Sequence, residues 1–306
     1  MKIAVMGAGA VGAYYGGALA RQGADVVLIA RGEHAEAMRE RGLRVESYWG
    51  DYVVHPAVAL TPDEAGVADV VLHCVKLYSN SDAIPEMHPL VGDGTVILTV
   101  QNGITGGEAL AQQFGWERVL EGATYIETSI RGPGRVVQTG SAARIEFGER
   151  EGSISERVEK LRDVLSVPGI QVEVSSDIRA SLWSKLVAIG ALGTVVTAAR
   201  ASLSEVLAME EGMNTIRTVM EEIVASGKAN GIKFPNGVVD TKLEDAVSEA
   251  DEFQSSLQSD FNRGGKLELD DILGAAVRLG REAGIPMPAS SAMVLTLQKF
   301  KGGSPS

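Results

Sequence analysis

One cysteine, four histidines and a shortage of positive charge set the first limits on this chain of 306 residues. Cys74 has no second cysteine to bridge, lies in an apolar run that reads as a buried strand, and carries no sign of activation, which fits a reducing cytoplasm. His34, His55, His73 and His88 show no ligand spacing, so no metal site is expected. With 28 Lys and Arg against 40 Asp and Glu, the formal net charge is -12. Nucleic acid and anionic membranes are therefore repelled overall, and an anionic ligand must be held by local groups. No later run reaches the ~18 to 20 uncharged apolar residues of a membrane span. The opening imitates a secretory signal with Lys2 and Ala18-Leu19-Ala20, but the glycines at 7, 9, 12, 16 and 17 and Tyr14-Tyr15 interrupt its apolar region. Internal repeats and low-complexity tracts are missing too, apart from a tail at 302–306 expected to fray.

What is present is the make-up of a globular protein, 45% apolar and 22% charged, at a length that suits two domains. Residues 2–6 read as a buried strand, 10–22 as a helix stopped by Gly23, and 26–30 as a second strand. Strand-like runs at 70–75, 96–100 and 119–125 alternate with helical stretches near 81–88 and 106–114, the rhythm of a parallel α/β sheet. Segments 127–130, 135–138 and 144–147 predict an antiparallel extension, 153–165 a helix, and 171–174 a last strand. Beyond about Ser175 helical periodicity takes over, with helices expected at 177–192, 203–230, 237–249, 253–261, 269–283 and 289–299.

Gly7-Ala8-Gly9-Ala10-Val11-Gly12 follows the first strand and opens the first helix, as a dinucleotide fingerprint does. Gly7 permits the tight turn, Gly9 lets backbone N–H groups approach a pyrophosphate, and Gly12 lets helix and strand pack closely. The G-x-G-x-x-G spacing alone is common; the strand before it and the helix after it make it specific. The expected architecture is thus an α/β Rossmann-type dinucleotide-binding domain over residues 1–174, then a mostly α-helical substrate and catalytic domain over 175–306. An acid at the end of the second strand would bond the ribose 2'-OH, but Arg31 stands there, while Asp25 sits at the strand's start. Arg31 can pair with a 2'-phosphate, so NADPH is expected over NADH; the plain alternative is a solvated surface arginine.

Further motifs follow in order: Val75-Lys76, Gln101-Asn102-Gly103, Leu182-Trp183-Ser184-Lys185-Leu186, and Ser255-Ser256-Leu257-Gln258-Ser259-Asp260 with Gly265-Lys266-Leu267-Glu268. Together with the glycine turn and Arg31, their spacing makes the chain resemble the ketopantoate reductase (2-dehydropantoate 2-reductase) family over nearly its whole length. The resemblance implies NADPH-dependent reduction of a 2-oxo acid to the 2-hydroxy acid, 2-dehydropantoate to pantoate in pantothenate biosynthesis, with no nucleic-acid or membrane partner. A homodimer is left open. The resemblance implies Lys185 as proton donor, with Glu268 facing it across a cleft to orient it or to accept a bond from a substrate hydroxyl. It puts Asn102 beside the nicotinamide, Lys76 near substrate or ribose, and Ser256 on the substrate, with Asp260 one helical turn beyond. The chemistry is consistent: hydride reaching a carbonyl carbon leaves negative charge on oxygen, which an ammonium stabilises and protonates.

Each residue has a structural alternative. Lys185 could be solvated, Glu268 could cap a helix beginning near Leu269 beside Asp270 and Asp271, Asn102-Gly103 could be only a turn, and Lys76 a strand-end charge. Trp183 reads as packing. Where the family places asparagines one and two turns after the lysine, this chain has Ile189 and Gly193; Thr194 and Thr197 are nearby candidates to compensate. Reduction of another, bulkier 2-oxo acid therefore stands beside the ketopantoate reading. A β-hydroxyacid dehydrogenase and a non-catalytic NADP-binding sensor are the rivals, the first disfavoured by the 255–268 signature.

Overall fold

A computed structural model describes residues 1–303; the last three residues of the tail lie outside the described residues. The chain divides into two compact units, Met1–Asn102 with Gly106–Ile178, and Gly103–Thr105 with the residues from Arg179 onward.

The first unit is built on one sheet whose strands, in chain order, are β1 (Lys2–Met6), β2 (Asp25–Ile29), β3 (Leu43–Ser47), β4 (Tyr52–Val54), β5 (Ala57–Ala59), β6 (Ala68–His73), β7 (Val91–Thr99), β8 (Val119–Ile130), β9 (Arg135–Gly148) and β10 (Gln171–Val174). Their spatial order is β4-β3-β9-β8-β7-β6-β1-β2-β5, with β10 paired to β9. β1 lies between β2 and β6 in parallel register, Ile3 opposite both Val26 and Val70. The β8–β9 hairpin is antiparallel, so the expected extension is present as two long strands. Side chains alternate in direction along a strand, and this divides the core. Ile3 and Val5 join Leu28, Leu72 and Leu98 beneath α1 (Ala10–Arg21), whereas Ala4 and Met6 join Val27, Val71 and Ile97 on the opposite face. With both faces covered, strands this apolar are the expected kind for a parallel sheet. The remaining helices here are α2 (Gly32–Arg41), α3 (Pro62–Ala65), α4 (Asn80–Glu86), α5 (Gly106–Phe114) and α6 (Glu156–Leu165).

The second unit is helical: α7 (Ile178–Ala199), α8 (Leu203–Ala208), α9 (Gly212–Ala229), α10 (Val238–Ser248), α11 (Ser256–Asn262), α12 (Leu273–Glu282) and α13 (Pro288–Gln298). Its core joins Trp183, Leu186 and Val187 of α7 to Ile216, Met220 and Ile223 of α9 and to Leu273, Ala276 and Val277 of α12. Buried Glu222 accepts hydrogen bonds from Ala289 N (2.9 Å), Ser290 N (2.7 Å) and Ser290 Oγ (2.6 Å), supplying the N-terminus of α13 with acceptors that its own residues lack. α7 is long and apolar enough to cross a membrane by composition, but 72% of its apolar window is buried within the protein.

Several boundaries differ from the sequence reading. α7 continues past Leu192 through Gly193 because its neighbours are buried on every side. The single helix expected at 203–230 is two, since Met209 leaves helical geometry at ψ 144°. β3, β4, β5 and α2 were not foreseen.

Candidate active site

The glycine turn divides into positions the fold needs and one it does not. Gly7 has φ +94°, and a Cβ there would stand 2.6 Å from Val75 Cγ1 and 2.9 Å from Val75 N. At Gly12 a Cβ would meet Gly7 O at 2.3 Å and Val5 Cγ1 at 2.9 Å. Gly9 is different: its φ is -71°, and nothing lies within 4 Å of the Cβ position. Gly9 is exposed, and neither dihedral strain nor crowding within the chain calls for glycine there. Gly9 is also the N-cap of α1, which has no side-chain cap and no acid in its first turn. The opening N–H groups of a helix lack intrahelical partners and carry partial positive charge. This cradle fits the diphosphate of a dinucleotide.

Arg31 is the N-cap of α2, two residues past the end of β2, and its side chain is 70% exposed. Its guanidinium pairs with Glu86 of α4. A cation therefore stands past the end of β2, with a carboxylate already on it. Asp25 is at the far end of β2.

Lys76 and Asn102 follow the C-terminal ends of β6 and β7, the edge at which open α/β sheets take ligands. Behind them lies a buried polar group that sequence reasoning missed. Gln101 Nε2 donates to Val75 O (2.8 Å) and Asn80 Oδ1 (2.7 Å), while its Oε1 accepts from Thr99 Oγ1 (3.1 Å) and Asn80 Nδ2 (3.3 Å). His73 Nε2 lies 2.9 Å from Asn80 Oδ1. Burial holds the His73 imidazole neutral, with its pKa lowered from 6.5 to about 4, the Asn80 bond opposing only in part. The unfolded chain takes up this proton near 6.5 and the native one does not, so the stability is complete above that pH. It is lost progressively as pH falls toward 4, by about 3 kcal/mol. Denaturant unfolding at pH 7.5 and 4.5 is expected to show this loss in the natural chain and a smaller one in His73→Leu. An equal loss in both would remove His73 as its source. Burial also pushes the Cys74 thiol up to about 12, which keeps it protonated near neutrality and unsuited to nucleophilic work.

In the helical unit Lys185 is half-buried on α7, and Glu268 is 3% exposed in the turn that leads into α12. The N-cap of α12 is Ile272, whose N–H bonds to Glu268 O at 3.0 Å, so Glu268 precedes the helix rather than occupying its cap position. Burial, then the nearby charges of Glu268 and Asp270, raise the Asp271 carboxyl above its ordinary value. A Cβ on Gly193 would lie 2.9 Å from Ser255 Oγ, so the glycine leaves room for that hydroxyl rather than an open gap. Ser255 is the buried N-cap of α11, its Oγ accepting from Gln258 N (3.3 Å); Ser256, the predicted substrate contact, is the exposed neighbour. Gln258 Nε2 ties α11 to the end of α7 through Val196 O (3.2 Å) and Ala201 O (2.9 Å). Thr194 and Thr197 are not replacements for the missing asparagines. Both are fully buried, and their hydroxyls bond back to Gly190 O (2.5 Å) and Gly193 O (2.6 Å) of their own helix. Among the described residues, no three His, Cys, Asp or Glu side chains group as a metal site would need.

A Rossmann-like α/β unit with a glycine turn at the start of α1 is thus followed by a helical unit bearing a half-buried lysine and a buried glutamate. The family description "Ketopantoate reductase PanE/ApbA" matches residues 3–152, and its C-terminal counterpart matches 177–301. The chain belongs to the ketopantoate reductase family, whose members are oxidoreductases acting on CH–OH groups. A 2-dehydropantoate 2-reductase of Mesorhizobium japonicum is 30% identical over 98% of both chains. The crystal structure of a PanE/ApbA family ketopantoate reductase from Ralstonia eutropha JMP134 superposes with a TM-score of 0.91 at 32% identity, covering 98% of each chain. A D-mandelate dehydrogenase solved with NADH and anilino(oxo)acetate has a TM-score of 0.90 at 23% identity over 98% of each chain, a likeness of fold alone.

Proposed function

We propose that this chain reduces a 2-oxo acid to the 2-hydroxy acid with NADPH, in the cytoplasm, and that 2-dehydropantoate is its leading substrate. The observation that supports the reading is a glycine turn in which the fold itself requires Gly7 and Gly12 but not Gly9, in a chain similar over 98% of its length to a 2-dehydropantoate 2-reductase. Residues 1–174 serve the cofactor and 175–306 the substrate.

Gly7 to Gly12 hold the diphosphate through backbone N–H groups, Arg31 the 2'-phosphate, and Lys76 and Asn102 the ribose and nicotinamide side. When bound, the dinucleotide supplies hydride to the substrate's carbonyl carbon. Lys185 Nζ donates a hydrogen bond to the carbonyl oxygen, stabilises its developing charge, and gives it a proton. Glu268 orients that ammonium or accepts a bond from a substrate hydroxyl, and Ser256 contacts the substrate. Oxidation of NADPH on adding 2-dehydropantoate to the purified chain tests the reading; binding without turnover would instead leave a sensor.

Ile189 and Gly193, which bring no side-chain amide, favour a second reading, in which the substrate is another 2-oxo acid without the hydroxyl those asparagines would hold. A screen of 2-oxo acids separates the two by relative kcat/KM.

Arg31→Ala is expected to weaken NADPH by about 1.5 to 3 kcal/mol and leave NADH nearly unchanged, since bonds to a charged group are lost. Because the Glu86 carboxylate competes for the same guanidinium, Glu86→Gln should shift preference the other way. An unchanged NADPH to NADH ratio in both variants would rule out the assignment.

A further inference from the structure

We infer that Gln101 is a positioning residue for the dinucleotide, acting as the tie that holds the loops after β6 and β7 in a binding-ready arrangement. The inference rests on the cofactor reading above. Gln101 Nε2 spans two acceptors, Val75 O at 2.8 Å and Asn80 Oδ1 at 2.7 Å. The first belongs to the residue before Lys76, the second to the first turn of α4. Its Oε1 returns to Thr99 Oγ1 and Asn80 Nδ2, so both ends of one amide are used, and the amides of Gln101 and Asn80 face each other as a reciprocal pair.

The tie extends to the fingerprint. Val75 is the residue against which the missing Cβ of Gly7 would collide, with its N only 2.9 Å from that position. Val75 is thus bounded by the glycine turn and held through its carbonyl by Gln101. The loop bearing Asn102 and the loop bearing Lys76 are joined through this one side chain, with the turn at Gly7 packed against the second. Room for the amide is kept by Gly106, where a Cβ would fall 2.5 Å from Gln101 Oε1 and 3.3 Å from Thr99 Oγ1. Gln101 is 7% exposed, so its amide acts through the loops beside it.

The amide can be disabled in two independent ways. Gln101→Met keeps length and apolar bulk but loses every bond; Gly106→Ala keeps the amide and crowds it. Both are expected to raise the NADPH dissociation constant, read by fluorescence titration, by about 10-fold or more. They should raise KM for NADPH in step while changing kcat less than about threefold. Gln101→Glu, which turns an oxygen toward Val75 O and Asn80 Oδ1 in place of a donor, should bind more weakly than Gln101→Met. A packing role alone would rank the variants by thermal stability and leave affinity at 25 °C unmoved. Folded variants that bind NADPH as the natural chain does would overturn the inference; should Gln101→Met fail to fold, Gly106→Ala carries the same test. A natural chain that binds no NADPH would overturn the cofactor reading instead.

Discussion

Lys185→Ala is expected to lower kcat/KM by about 10²- to 10⁴-fold while NADPH still binds, the usual worth of a positioned proton donor. Lys185 lies on α7 between Trp183 and the core residues Leu186 and Val187, and alanine is the best helix former, so the helix should survive the change. Lys185→Arg keeps a cation but holds its proton too tightly to give it up, and should recover little of the rate. Steady-state kinetics with NADPH titration by fluorescence would read both. Turnover at the natural rate in Lys185→Ala would remove this residue from the reaction.

Gly9→Val should weaken dinucleotide binding sharply without unfolding the protein. The φ of -71° is one that any residue adopts, and the Cβ would enter empty space. A branched side chain there displaces the diphosphate from the N–H groups of α1. Losing bonds to a charged group at about 1.5 to 3 kcal/mol each predicts a dissociation constant higher by about 10² to 10⁴. Gly12→Val, pressed onto Gly7 O, should instead lower the midpoint of thermal unfolding. If Gly9→Val bound NADPH normally, the diphosphate would not lie against Gly9.

The parts of the fold legible in the sequence were those with strong periodicity and a clear boundary. Residues 3–6 are apolar and end in a glycine turn, and the antiparallel extension after residue 125 was marked by its turn glycines. α2 escaped notice because Gly-Glu-His-Ala-Glu-Ala-Met-Arg-Glu-Arg offers only a narrow apolar stripe, with Ala35, Ala37 and Met38 as its buried residues. β3 to β5 are three to five residues long and partly exposed, too short for a period of two to emerge. The reverse error at Thr194 and Thr197 has a physical source: their hydroxyls have a partner one turn back in the helix itself, which no spacing rule reveals. At the site, Gln101 was passed over for its neighbour Asn102. An amide directly following five apolar or threonine residues, 96–100, was the available signal, since a buried side chain with two donors and an acceptor must find partners.

The apolar character of α7 has a consequence for how the protein is made. Its covering residues come from α9 and α12, so Leu186 and Val187 leave the ribosome well before Leu273 and Val277 exist to shelter them. At about 5 to 20 residues per second, that segment waits several seconds with a membrane-like surface uncovered. Truncations that end before residue 273, which lack that cover, should therefore aggregate.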